Sequence, residues 1–157
     1  TVPAGAITAA LITLGDKLFG QYIPQLTIAN SQVAIWKTLL AALYGGTVEE
    51  LLMRLFIMSL FAWILAKLSR STEPAKNGTI MWVAIIVSSV LFGLGHLPIT
   101  SALATITPLV IFRAIILNGI GGLVFGWLYW KKGLEHAMVA HFTADVVLLA
   151  ILPALLK

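Results

Sequence analysis

The chain has 157 residues, of which 60% are hydrophobic and only 10% are charged, and its mean hydropathy is +1.01. Because soluble domains carry about 25% charged residues, this composition excludes an ordinary soluble domain and indicates a membrane protein. The net charge of +4 does not indicate nucleic acid as a partner, since the basic residues lie at the ends of apolar runs. The absence of cysteine excludes disulfides, thiolate catalysis and cysteine-bound metals.

The first 32 residues are predicted to form a short apolar or interfacial segment that is followed by a loop. Residues 2–14 are apolar, but Gly15, Asp16 and Lys17 interrupt the run. A spanning helix needs roughly 20 apolar residues, so this beginning is not counted among the full spans. Residues 33–157 are predicted to form one membrane domain.

The membrane domain is predicted to begin with a helix over residues 33–44, which Gly45 and Gly46 are expected to break or kink. Thr47 is then expected to cap the next helix, with Glu50 as its partner in a capping box. Four full spans are predicted, over residues 48–68, 79–97, 109–130 and 134–156, with Pro98 ending the second and Pro108 opening the third. The predicted fold class is therefore all-α, a polytopic transmembrane helix bundle.

Small residues and loop charges predict how the spans are arranged. Gly122 and Gly126 form a GxxxG face, which permits close helix packing in lipid. Two spans separate the basic loops at residues 67–78 and 131–133, so both loops are expected on the same side of the membrane. The positive-inside rule makes that side cytoplasmic. We therefore expect an integral, multi-pass protein of a bacterial cytoplasmic membrane.

Ionisable residues inside spans are costly, and they are functional hypotheses by default. In the first motif, Glu49-Glu50-x-x-x-Arg54, the i,i+4 spacing predicts that Glu50 pairs with Arg54. Glu49 is rotated away from Arg54 and keeps a carboxylate available for another partner. Alternatively, both glutamates merely favour the N-terminus of a helix, although this does not explain an arginine one turn deeper in an apolar run.

Two further motifs place histidines in later spans. Phe92-x-x-x-His96 sets an aromatic ring one turn before a histidine, which alone is as readily a structural residue bonded to a carbonyl. His141-x-x-x-Asp145 puts two polar side chains on one face of the last span. The carboxylate can orient the imidazole, both can face a reacting group, or the pair can hold two helices together. Arg113 is interpreted as a snorkelling or orienting residue.

Together the three motifs resemble the CPBP family of membrane proteins, which includes CAAX endopeptidases and bacterial bacteriocin-processing and immunity (Abi) proteins. The family's pattern is EExxxR, FxxxH and Hxxx(N/D), each on its own membrane helix. The resemblance covers about residues 33–156. It implies an intramembrane endopeptidase that cuts a membrane-associated protein or peptide, in CAAX-type processing or in bacteriocin or signal-peptide processing. The implied partners are the lipid bilayer, a peptide or membrane-protein substrate and a membrane-complex partner.

Two mechanisms use the same residues. In the first, Glu49 and His96 polarise a water as a general-base pair, and His141 with Asp145 stabilises the oxyanion. In the second, Glu49, His96 and His141 bind Zn²⁺, and Asp145 orients His141. No obligatory metal is predicted, and zinc dependence is left open. Glu50, Arg54 and Phe92 are expected to support the site in both cases.

A rival hypothesis is a catalytically inactive membrane scaffold or assembly subunit with the same fold. The short chain, the five tryptophans and the GxxxG face favour it. The distance between Glu49 and His141 discriminates between the enzyme and the scaffold. A separation above about 15 Å would be too large for both side chains to contact one substrate bond, and it would favour the scaffold. At about 1.5 Å per residue, Glu49 lies roughly 27 Å from the Lys67 end of its helix, and His141 lies about 10 Å from its own end. The two helices are therefore expected to be offset or tilted, or the glutamate helix is expected to extend beyond the bilayer.

Overall fold

The computed structural model describes residues 1–27 and 34–155, and this part of the chain is helical and contains no strand. Five of its helical segments are long and apolar enough to cross a membrane. The all-α, polytopic fold class is therefore confirmed. In chain order the helices are α1 Val2–Gly20, α2 Ile35–Ser69, α3 Gly78–Gly95, the short α4 Leu97–Ser101, α5 Pro108–Lys132 and α6 Leu134–Leu155, with 3₁₀ turns at Pro24–Leu26 and Pro74–Lys76.

The beginning of the chain differs from the predicted interfacial segment. Residues Val2–Gly20 form one helix of 19 residues, and this helix packs against α5 and α6. Asp16, which interrupts the apolar pattern, is buried and pairs with Arg113 of α5 at 2.5 Å. The charge is therefore neutralised inside the bundle, by a partner far away in the sequence. Predicted features at residues 28–33 and at residue 156 lie outside the described residues.

The sequence predicts a break or a kink at Gly45 and Gly46, and the break does not occur, because α2 continues through both glycines over 35 residues. Wide π-helical turns at Gly45–Glu49 and Leu51–Met58 replace the break, and such turns are frequent at functional sites. The predicted capping box is also wrong, since the Thr47 hydroxyl donates to the Leu43 carbonyl at 2.6 Å within the helix.

The central pair of helices, α3 and α5, packs through the predicted glycine face. A Cβ atom on Gly122 would collide with Ser89, and one on Gly126 would press on Ile85, so both glycines allow close approach. The GxxxG prediction is thus confirmed. Pro98 does not end the span as predicted. Instead the chain bends at His96, and Pro98 occupies the first turn of the short helix α4.

At one end of the bundle, the last turns of α5 contact the turn after α2 and the start of α3. The Trp130 indole of α5 donates to the Ala75 carbonyl at 2.8 Å, and its ring contacts Trp82 edge to face. The segments after α2 and at the end of α5 therefore lie at the same end of the bundle. That this side is cytoplasmic stays a prediction.

The length of α2 accommodates the offset between the glutamate helix and the last helix. Thirty-five residues span about 52 Å, well beyond a hydrocarbon core of about 30 Å, so this helix inclines or projects from the bilayer. The contacts of α6 with α2 are mainly with the first half of α2, Ile35–Glu49. Glu49 can therefore lie beside His141, although the two residues are at unequal distances from the ends of their helices.

Candidate active site

A fully buried ion pair joins α2 to α3. Arg54 Nε donates to Glu50 Oε2 at 3.0 Å, and neither side chain is exposed. Arg54 Nη1 also donates to Ser88 Oγ of α3 at 3.3 Å. The guanidinium carbon lies 5.8 Å from the centre of the Phe92 ring, in a cation–π contact. The predicted pairing of Glu50 with Arg54 is confirmed.

The second oxygen of Glu50 holds the imidazole of His141 on α6. Glu50 Oε1 and His141 Nδ1 are 2.9 Å apart. Because a carboxylate is an acceptor, Nδ1 carries the hydrogen, and Nε2 is left for the other side of the ring. Phe125 stacks on the ring at 4.7 Å, and Phe92 meets it edge to face at 5.7 Å.

Sequence reasoning missed this contact, since it considered only Asp145 as a carboxylate that could orient His141, as one of three alternatives. The i,i+4 spacing identifies one partner of Glu50, and it gives no signal for the partner on the second oxygen, 91 residues away. The structure places Glu50 on Nδ1, and Asp145 lies near the opposite nitrogen. Glu50 is therefore the residue that orients His141.

Nε2 of His141 faces two carboxylates. Glu49 Oε2 lies 3.8 Å from it and Asp145 Oδ2 lies 3.7 Å from it. The Glu49 side chain is 25% exposed, whereas that of Glu50 is fully buried. Two adjacent glutamates thus have different surroundings, as their rotation about the helix predicts.

Gly45 of α2 makes this arrangement possible. A Cβ atom at this position would lie 2.5 Å from Asp145 Oδ2 and 3.1 Å from His141 Nε2. The lack of a side chain at Gly45 therefore allows Asp145 and His141 of α6 to lie close to α2 at the site.

His96 lies where α3 ends and α4 begins. Its Nδ1 is 2.8 Å from the Phe92 carbonyl oxygen, and since a carbonyl only accepts, Nδ1 carries the hydrogen. The Nε2 atom keeps its lone pair. The rings of Phe92 and His96 are 4.7 Å apart and nearly perpendicular. His96 thus makes a structural hydrogen bond through Nδ1 and keeps Nε2 available.

These groups converge on one cavity of about 540 Å³ between the helices. Because an unpaired charge in hydrocarbon is costly, the three motifs predict that all six of their ionisable residues line one cavity between helices. Glu50 and Arg54 do not line it, because their ion pair is fully buried. A neighbouring cavity of about 220 Å³ shares Glu49, Phe92 and His96 with it. Among the residues that line the larger cavity are Glu49, Phe92, His96, Arg113, Asn118, His141 and Asp145.

Arg113 is not a snorkelling residue as interpreted from the sequence. Its Nη2 donates to Asp16 Oδ1 and to the Leu26 carbonyl oxygen at 2.8 Å. Arg113 therefore ties α1 and the turn after it to α5, and its side chain forms part of the cavity wall.

The donor set of two histidines and a glutamate suits zinc chemically, but its geometry here does not. Zinc ligands lie about 2.0–2.1 Å from the ion, so three of them have to converge closely. In the described part of the chain no three His, Asp or Glu side chains are close enough together to hold a metal ion. The residues as arranged do not form a zinc site. That no metal is obligatory stays a prediction.

Comparison with protein families gives one match. The family model of the type II CAAX prenyl endopeptidase Rce1-like proteins matches residues 31–147, which include all three motifs. Comparisons with curated proteins and with solved structures gave no significant match. The matched segment covers well over half of the chain. The protein is therefore an integral, multi-pass membrane protein that belongs to the Rce1-like family of type II CAAX prenyl endopeptidases, within the CPBP proteins, and has the fold of a CAAX-type intramembrane protease.

Proposed function

We propose that the chain is an intramembrane endopeptidase that hydrolyses a peptide bond of a lipid-modified, CAAX-type protein or peptide. The observation that carries this proposal is the convergence of Glu49, His96, His141 and Asp145 from three helices on one cavity. A scaffold has no need for such a set, because charged groups inside a membrane are costly. The 3.8 Å between Glu49 and His141 therefore favours an enzyme over a scaffold.

In the proposed reaction, Glu49 and His96 activate a water molecule as general bases. The water gives a proton to this pair while its oxygen bonds to the carbonyl carbon of the substrate. The tetrahedral intermediate then collapses, the C–N bond breaks, and the leaving amine receives the proton that was taken from the water. His96 suits this role because its Nε2 keeps a lone pair.

His141 and Asp145 are proposed to stabilise the oxyanion that forms on the carbonyl oxygen. Because Glu50 holds the Nδ1 hydrogen, His141 donates from Nε2 only as the imidazolium. Asp145 contributes in its protonated form, or through His141, since a carboxylate would repel the oxyanion. Glu50 lies between two cations, the imidazolium of His141 and the guanidinium of Arg54, so these three groups together carry one net positive charge, which favours an oxyanion.

The test is cleavage of a synthetic S-farnesyl peptide with a C-terminal CAAX box by purified protein in lipid vesicles. We expect wild type to release the C-terminal fragment, and we expect the His96→Asn variant to lose at least about 100-fold in rate, as is typical when a general base is removed. The absence of cleavage by folded wild-type protein would contradict the proposal and favour the scaffold.

The zinc alternative has its own test. We expect cleavage to persist after treatment with a strong chelator such as 1,10-phenanthroline, and we expect no stoichiometric zinc in the purified protein. Loss of cleavage with chelator, followed by recovery when zinc is returned, would establish the zinc mechanism in place of the general-base pair.

A further inference from the structure

Arg113 puts a cationic guanidinium into the wall of the cavity that holds Glu49 and His141. It lies in the second turn of α5, which begins at Pro108. Arginines within spans face bundle interiors or cavities, pair with other groups and mark substrate pathways. The reaction proposed above makes no use of this guanidinium.

The known partners of Arg113 occupy one nitrogen only. Nη2 donates both to Asp16 Oδ1 and to the Leu26 carbonyl. A guanidinium carries five N–H donors, and within residues 1–27 and 34–155 no group accepts a hydrogen bond from Nε or Nη1. The pair with Asp16 therefore fixes the guanidinium in place, and donors are left for a ligand.

Helix packing brings Arg113 close to the level of the catalytic histidines. The backbone of Gly93 lies against Ala114 and Ile115, the residues directly after Arg113. Phe92, the neighbour of Gly93, contacts the rings of both His96 and His141. Arg113 is thus adjacent in sequence to the residues of α5 that contact Gly93, and the two histidines contact Phe92, the residue before Gly93.

The wall around these polar groups is largely aliphatic, with Ile12, Leu117 and Leu148 among the lining residues. An interaction between a guanidinium and a carboxylate is stronger in such surroundings than in water. The wall therefore suits an anionic group that is carried on an apolar peptide.

We propose that Arg113 binds the C-terminal carboxylate of the substrate and selects for cleavage close to a free C-terminus. This inference rests on the proposed function. Every peptide bond inside a C-terminal C-a-a-X box lies within three residues of that carboxylate. Three extended residues span about 10 Å, so a substrate carbonyl at Glu49 and a carboxylate at Arg113 can share one cavity. Nη1 of Arg113 can donate to the carboxylate while Nη2 stays bonded to Asp16.

The experiment compares two S-farnesyl peptides of identical sequence, one with a free C-terminal carboxylate and one with a C-terminal amide. Binding of each fluorescent peptide to the full chain in nanodiscs is measured by anisotropy, and cleavage is measured in parallel. We expect wild type to bind the acid at least about tenfold more tightly than the amide, the factor that corresponds to one charge-assisted hydrogen bond. We expect Arg113→Gln to bind both peptides equally, at about the wild-type affinity for the amide.

Asp16→Asn is the matched control. It breaks the same ion pair as Arg113→Gln but keeps the guanidinium, so its preference for the acid should persist. If Arg113→Gln fails to fold because the Asp16 carboxylate loses its guanidinium partner, the double variant Asp16→Asn/Arg113→Gln removes both charges and should bind the two peptides equally.

Equal binding of acid and amide by wild type would overturn the inference, and so would a preference that survives in Arg113→Gln or in the double variant. Cleavage of both peptides without any preference would leave the proposed function standing and remove the carboxylate site. A preference for the acid that depends on Arg113, without cleavage by wild type, would support the site and contradict the proposed function.

Discussion

Glu49 and Glu50 carry the same carboxylate on two faces of α2, but one carboxylate is partly exposed and the other is fully buried. Glu49 is partly exposed toward the cavity, where Nε2 of His141 is its near neighbour. Glu50 is fully buried and is bonded both to Arg54 and to Nδ1 of His141. A partly exposed carboxylate thus lies beside one that is held by an ion pair. The difference separates the glutamate that we propose as a general base from the glutamate that we propose to hold the site together.

The largest expected effect tests the buried face. Arg54→Ala removes the guanidinium partner of Glu50 in the bundle interior and leaves the carboxylate with only its bond to His141. Removal of one partner of a buried ion pair costs about 3–5 kcal/mol. We expect a strongly lowered melting temperature in detergent, whatever the activity. The double variant Glu50→Gln/Arg54→Met removes both charges and should recover part of this loss. Wild-type melting behaviour of Arg54→Ala would show that the pair does not carry stability.

Adjacent glycines on α2 give a matched pair with a smaller effect. A Cβ atom on Gly46 would press on the Met138 carbonyl and on Phe142, so Gly46→Ala has to move backbone and should cost about 1–3 kcal/mol. A Cβ atom on Gly45 would meet the side-chain ends of Asp145 and His141 instead.

Gly45→Ala should therefore fold with little loss of stability but displace the two side chains and lower the cleavage rate. Melting and cleavage are measured for both alanine variants. Equal stability losses at the two positions would contradict the assignment of Gly45 to the site.

The smallest effect is expected at the far end of the bundle. Trp130→Phe removes the hydrogen bond to the Ala75 carbonyl, a neutral bond that is worth about 1 kcal/mol. We expect a slight drop in melting temperature and unchanged cleavage, because Trp130 does not line the cavity. A large loss of cleavage in this variant would show that the loops take part in the reaction.

The sequence predicts those features that depend on local spacing. The pairing of Glu50 with Arg54 follows from one helical turn, and the close packing at Gly122 follows from the small-residue pattern. Features that depend on long-range contacts were missed. In the sequence Asp16 interrupts an apolar run, and the fold places it against Arg113, a cationic partner 97 residues away, which lowers the cost of its burial.

The same limit explains the error at Gly45. A glycine pair in an apolar helix indicates either a break or a close approach, and only the position of α6 distinguishes between them. Within the candidate site, the residues of the three motifs were identified from the sequence, whereas the bond from Glu50 to His141 required the fold.

The most direct test of the central claim compares Glu49→Gln with Glu50→Gln. Each variant keeps the size of the side chain and removes the charge, and cleavage and melting are measured for both in the same lipid. We expect Glu49→Gln to melt like wild type and to lose about 10²–10⁴ in cleavage rate, the factor for a lost general base. We expect Glu50→Gln to melt at a lower temperature with a smaller loss of rate. A stable but inactive Glu50→Gln beside a fully active Glu49→Gln would reverse the two roles and contradict this account.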